Sequence, residues 1–173
     1  MKTINLLTFL PLFSFVLVAR LHGMTDLAWK EAFLLSGLIF MVVIAIQLHA
    51  KVVIDRVMLG VNIFLAVGAL AFLADIDPLL YYYGMYKGVA FLSCIAAVGL
   101  ITSCFSESGF IGVASHNKKL IRDSSLQLLA INFAAIAWSF VMNADGLIIS
   151  VVLPYIVLRV MYERFGHEIK KTR

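Results

Sequence analysis

Charge is what this chain has least of. Asp, Glu, Lys and Arg make up 14% of its 173 residues, whereas 62% are hydrophobic. Its mean hydropathy is +1.00. A soluble domain carries roughly a quarter charged residues. So few polar groups cannot clothe a surface facing water without leaving large apolar patches, so the composition excludes an ordinary soluble fold and calls for lipid as solvent. Cysteine is also scarce, with Cys94 and Cys104 alone. If both lie on one helix, their ten-residue separation rises about 15 Å, against the roughly 7 Å that a disulfide tolerates. A bond between them is excluded on that reading.

Equally telling is where ionisable groups are missing. No Asp, Glu, Lys or Arg falls near the middle of any long apolar run. Ion-coupled carriers keep such groups at the midplane, so a carrier of that kind is disfavoured. The four histidines, His22, His49, His116 and His167, lie at run ends or in loops, and no two share ligand spacing. A metal centre is not expected. No phosphate-binding glycine loop, nucleophile elbow or zinc-protease signature occurs. No cofactor is expected, and the chain does not read as an enzyme. Asp75, Asp77 and Asp145 could gather as an acidic group for acid–base work on lipid, but roles in turns and at helix ends suit them better.

What the sequence does contain is six apolar runs, at residues 4–21, 27–48, 57–73, 88–105, 126–142 and 147–162, followed by a charged tail at 163–173. Each is long enough to cross a bilayer, allowing for tilt. The expected fold is an all-α, polytopic membrane helix bundle of about six spans forming one domain. The first run follows Lys2 and contains Pro11, and we read it as a retained helix rather than a cleaved leader. Thr25 and Asp26 are good caps for the second run, and Ser124-Ser125-Leu126-Gln127 offers a capping box for the fifth. Pro154 should kink the sixth, and Arg159 near its end can snorkel.

The net charge of +4 and pI near 9.2 would suggest nucleic acid in a soluble protein. Here the basic residues flank the apolar runs, so they orient the chain in a bilayer, and no nucleic-acid partner is expected. Eleven of the fourteen lie on one set of flanks: Lys2, Lys51, Arg56, Lys118, Lys119, Arg122, Arg159, Arg164, Lys170, Lys171 and Arg173. Arg20, Lys30 and Lys87 lie on the other. This bias places both termini in the cytoplasm. Trp29, Tyr81, Tyr82, Tyr83 and Tyr86 then fall on the outer side as an interfacial belt. The loop from Ser106 to Ser125 falls on the inner side, where Lys118, Lys119 and Arg122 are candidate lipid contacts.

The deepest polar side chains are Asn62, Asn132 and Ser139, accompanied by Ser36, Ser93, Thr102 and Ser103. An amide in hydrocarbon needs a partner, so Asn62 and Asn132 are expected to pin their helices to neighbours. Small residues at spacings of three and four (Ala90, Ser93 and Ala97; Gly99 and Ser103; Ala130 and Ala134) mark faces where backbones can approach. Asn62 and Asn132, like Ala74-Asp75 and Ala144-Asp145, recur at an offset of 70, a similarity small enough to arise by chance.

The opening Leu7-Thr8-Phe9-Leu10-Pro11-Leu12 resembles the Phe-Leu-Pro-Leu start of the intracellular septation protein A family of bacterial inner-membrane proteins. Gly68-Ala69-Leu70, the acidic turn after it and Lys87 before the fourth run resemble that family's central hairpin. The chain departs from it in a longer stretch between Gly68 and Lys87, and has Met85-Tyr86-Lys87 in place of a Trp-Lys pair. The resemblance implies a multi-pass protein of the cell inner membrane. Its role would be in envelope maintenance and septation through contacts with other membrane proteins or with itself, and no catalytic residues carry over. The alternative reading is a small oligomeric channel or transporter with a polar path past Asn62, Asn132 and Ser139.

Overall fold

In the computed structural model, residues 7–23, 25–113 and 115–171 are described, the side chain of Asp145 excepted, and all regular structure among them is helical. The helices are α1 (Leu10–Leu21), α2 (Asp26–His49), α3 (Arg56–Leu73), α4 (Asp77–Met85), α5 (Lys87–Phe105), α6 (Lys118–Val141) and α7 (Leu153–Lys171). A 3₁₀ turn at Asn143–Asp145 and a π-helical segment at Ile148–Val152 precede α7. The chain divides into two compact units, Met1–Met85 and Tyr86–Arg173. Helices α2, α3, α5 and α6 are long and apolar enough to cross a membrane. At 24 residues, α2 and α6 each reach about 36 Å, beyond the roughly 30 Å of a hydrocarbon core. Of the six expected spans, four thus have helices of that length and composition. The first run yields the 12-residue α1, its residues 4–6 lying outside the described part. The sixth is divided between the π segment and α7.

In the first unit α2 is central, with α1 and α3 both packed along it. Its caps are local chemistry: the Thr25 hydroxyl accepts from the Ala28 N–H at 3.2 Å, and Asp55 accepts from the Met58 N–H at 3.0 Å to start α3. The outward face of α2 is as apolar as its buried one, which also holds Phe33, Phe40 and Val43. Leu35, Leu38, Met41, Val42 and Ile46 face outward, while Ala28, Ala32, Ser36, Gly37 and Gln47 are buried. Small buried residues let helices approach when no hydrophobic drive separates inside from outside. A Cβ on Gly37 would lie 2.6 Å from the Ala69 Cβ on α3.

After α3 the chain turns at Asp75, at φ +47°, into the short helix α4. Tyr81 is 68% exposed, as an interfacial ring should be, but Tyr83 is buried. Its ring stacks on Phe64 with centroids 4.8 Å apart, and its hydroxyl donates to the Phe64 carbonyl at 3.1 Å. Helical spacing separates the neighbouring tyrosines, so one of the three serves the core instead of the belt.

In the second unit α6 is central. It begins at Lys118, capped by Asn117, whose side chain accepts from the Leu120 N–H at 3.0 Å. The capping box expected at Ser124 to Gln127 is therefore wrong; those residues sit two turns inside the helix. Ser124 and Ser125 are buried there, and the Ser125 hydroxyl instead accepts from the Phe110 N–H at 3.0 Å. The preceding loop folds inward, with Phe110 and Ile111 fully buried. Residues 163–171, expected as a charged tail, continue α7. Phe165, Gly166 and Ile169 are buried, and a Cβ on Gly166 would stand 3.7 Å from Val113.

Pro154 acts through its missing N–H. In the π segment before it, the Leu153 N–H bonds five residues back to Ile148. The Ile149 carbonyl thereby loses its four-back donor, and its five-back donor position is Pro154, which has none. The Trp138 indole N–H on α6 donates to that carbonyl at 3.1 Å. An interhelical bond replaces the one the proline removes.

Replacing Gly37 by Leu should lower the unfolding free energy in detergent by about 1–3 kcal/mol through overpacking against Ala69. Gly84→Ala, where nothing lies within 4 Å of the new Cβ, should leave it within about 0.5 kcal/mol. Equal losses in a detergent unfolding titration would show that α2 and α3 do not meet at Gly37.

Candidate functional site

The polar groups buried in each unit are the chemistry available in this fold. In the first unit three converge. Gln47, near the end of α2, donates its amide to the Thr8 hydroxyl at 2.7 Å. Asn62 on α3 donates to the Thr8 carbonyl at 3.1 Å. All three are buried. Asn62 therefore ties α3 to the chain entering α1, as a buried amide in hydrocarbon requires. Its Oδ1 is buried with no hydrogen-bond partner.

In the second unit Ser125, Asn132 and Ser139 recur every seven residues along α6 and are all buried. They form one seam, with Leu128 and Ala135 between them and Ile121 a turn before. Asn132 donates to the Leu92 carbonyl of α5 at 3.4 Å. Ser139 faces Gly88 near the start of α5, where a Cβ would collide with its Oγ and come within 2.7 Å of the Ser150 carbonyl. Contacts of Asn132 with Leu92 and of Ser139 with Gly88 run in opposite chain order, so α5 and α6 are antiparallel. The Asn132 Oδ1, the Ser139 Oγ and the Ser103 Oγ are buried without a partner.

Among the residues singled out from sequence, Asn132 and Ser139 share one face of one helix. Asn62 lies on α3, which flanks the central helix of the first unit, whereas Asn132 lies on α6, the central helix of the second. The offset of 70 does not relate equivalent places. Ser36 and Thr102 satisfy themselves on their own helices, through the Phe33 carbonyl at 3.1 Å and the Val98 carbonyl at 2.7 Å. Ala130 and Ala134, expected to pack, face outward; Ala135 is the buried one. Thr8 and Gln47 escaped the sequence reading because both stand near run ends, where polar residues ordinarily meet headgroups. A signal was there: Gln47 lies one helical turn from Val43, on the face that also carries Phe40 and Ser36.

Lys118, Lys119 and Arg122 open α6 and are exposed. Lys118 stands 3.7 Å from Glu107, both highly exposed, an arrangement that holds little in water. The four histidines are exposed, and His22 pairs with Glu31 at 2.5 Å. Among the described residues no group of three His, Cys, Asp or Glu could hold a metal. Asp75 and Asp77 serve the turn and the first turn of α4; the Asp145 side chain lies outside the described part. Cys94 and Cys104 are free thiols on α5. A shallow groove of about 220 Å³ runs along the outward face of α1, lined by Phe13, Val16, Leu17, Arg20 and Leu21.

The fold and these polar seams define a class, a helical membrane protein whose helices are tied together by buried amides and hydroxyls. No known family model, curated protein or solved structure matches the chain.

The convergence on Thr8 makes a specific prediction for unfolding in detergent. A double-mutant cycle of Thr8→Val with Gln47→Leu should show coupling of about 0.6–1.7 kcal/mol, the range for interhelical hydrogen bonds in lipid. The cycle of Thr8→Val with Asn62→Leu should be additive within about 0.5 kcal/mol, because Asn62 bonds to a carbonyl that valine keeps. Equal coupling in both cycles would contradict the assigned partners.

Proposed function

We propose that this chain is a non-enzymatic, multi-pass protein of the cell inner membrane that acts through helix–helix contacts in envelope maintenance or septation. In this reading it crosses six times, α1 and the π–α7 rod supplying the first and last crossings, and both termini are cytoplasmic. The observation that carries it is the distribution of polarity. Most buried polar side chains make a bond within their own unit, while the outward faces are largely aliphatic and aromatic. Such faces offer lipid and neighbouring helices broad apolar contact and offer a soluble substrate nothing to bind. Ala130 and Ala134, outward on α6, leave room there for a foreign backbone. The eleven-to-three division of Lys and Arg supports the orientation, and the resemblance of the Phe-Leu-Pro-Leu opening and of Gly68-Ala69-Leu70 supports the cellular role.

A second reading draws on a different observation. Asn62 Oδ1, Asn132 Oδ1 and Ser139 Oγ are buried acceptors without partners, which a path for water or a small solute would use. On this reading the protein is a small oligomeric channel or transporter.

Photo-crosslinkers placed at Ala130 and Ala134 in native membranes should give discrete adducts with other membrane proteins or with a second copy. Asn62→Leu and Asn132→Leu should leave those adducts in place. Absence of adducts, together with a solute flux in vesicles abolished by Asn62→Leu or Asn132→Leu, would replace the interaction reading with the channel reading. Reporter tags at the two chain ends should both read out cytoplasmic; opposite compartments would refute six crossings.

A further inference from the structure

The outward faces of α6 and α7 each change character abruptly at the same end of the second unit. On α6, Phe133 and Leu126 are half exposed. One turn beyond Leu126 stand Arg122 and then Lys119, three residues apart on the same exposed face. On α7, the exposed side chains Ile156, Val157 and Val160 give way to Glu163, Arg164, His167, Glu168, Lys170 and Lys171. Antiparallel α5 and α6, followed by α7 returning on α6, bring the start of α6 and the end of α7 together. The contact of Gly166 with Ile111 and Val113 confirms this.

Some cations at this end are already engaged. Arg159 bonds Glu163 at 2.9 Å, Arg164 bonds Glu168 at 3.3 Å, and Lys118 has Glu107. Among the described residues, Lys119 and Arg122 have no carboxylate within ion-pair distance. Lys119 also sits in the first turn of α6, where the helix macrodipole is positive and a cation is unfavourable. Two unneutralised cations near the start of a helix, directly above an apolar stripe, match one kind of molecule: an amphiphile with an anionic head and an apolar tail.

The geometry points to a binding site for an anionic phospholipid. Its headgroup phosphate is held by Lys119 and Arg122, and an acyl chain runs down α6 over Leu126 and Phe133. Arg122 can meet phosphate oxygens with a two-pronged fork, and Lys119 adds a point charge. Lys170 and Lys171, exposed at the end of α7, extend the positive surface on which such headgroups collect. This inference does not depend on the helix-contact reading, because it concerns which lipid surrounds the second unit whatever that unit contacts.

The test uses the full chain purified in detergent and probed with phosphatidylglycerol or phosphatidylcholine, with retained lipid read by native mass spectrometry. Phosphatidylglycerol should be retained in preference to phosphatidylcholine. Lys119→Gln with Arg122→Gln should weaken that retention by about 30-fold, from roughly 1 kcal/mol per cation near an anionic surface. The charge-conserving pair Lys119→Arg and Arg122→Lys should retain the lipid, and Lys30→Gln, an exposed cation of the first unit, should not alter it. Raising the salt should weaken the preference. Equal retention of the two lipids overturns the site. So does undiminished phosphatidylglycerol on the double glutamine variant, or loss of the lipid in the charge-conserving pair. Capture of soluble polyglutamate in place of the lipid would assign the surface to an acidic protein and overturn it as well.

Discussion

A backbone amide or side-chain amide in hydrocarbon must find its partner inside the protein, because the solvent offers none. Much of this structure follows from that constraint. It explains why the described chain is helical and why Asn62, Asn132 and Gln47 each reach across to another segment. It also explains the pairing of Trp138 with Ile149. Pro154 cannot donate, the π segment shifts the register, and the carbonyl left over is met by an indole from the next helix. A proline that costs about 3 kcal/mol in a helix interior is accommodated by a bond that also fixes α6 to the π segment.

The same constraint accounts for the apolar outward faces. Between lipid and protein interior there is little hydrophobic difference, so close packing and hydrogen bonds decide which face turns inward. Gly37 against Ala69 and Gly88 against Ser139 are places where only the absence of a side chain permits the approach. The large side chains Leu38, Met41 and Phe133 are left to the outside. Beyond the apolar stripes, ordinary rules return: the Phe110 and Tyr162 rings lie 6.4 Å apart and Ile111 and Val113 stand against Gly166, with charged residues following on α7, as in a soluble domain.

Much of this was legible in advance. The apolar runs marked α2, α3 and α5 to within a residue or two at most ends, because a run of that length has no other use in a polypeptide. Thr25 was recognisable as a cap because an N-cap is a local hydrogen bond between residues three apart. Asn62 and Asn132 stood out because amides are rare in such runs. The start of α6 was misplaced because its first two turns, Lys118 to Ser125, are polar, and hydropathy cannot distinguish a polar helix from a polar loop. Ala130 and Ala134 were assigned to a packed face because small residues at a spacing of four carry no sign for inside or outside.

Composition alone determined the solvent: too few charges for water, and enough apolar residues for lipid. Run lengths determined the long helices, since one hydrogen-bonding pattern seals a backbone within a single segment. The tertiary structure decided pairings that no local pattern encodes. Among these are Thr8 as the meeting point of Gln47 and Asn62, the burial of Tyr83 beside exposed Tyr81, and the approach of Gly166 to Ile111 and Val113. Each depends on distances between segments remote in sequence, and periodicity reports only which residues share a face, never what lies opposite.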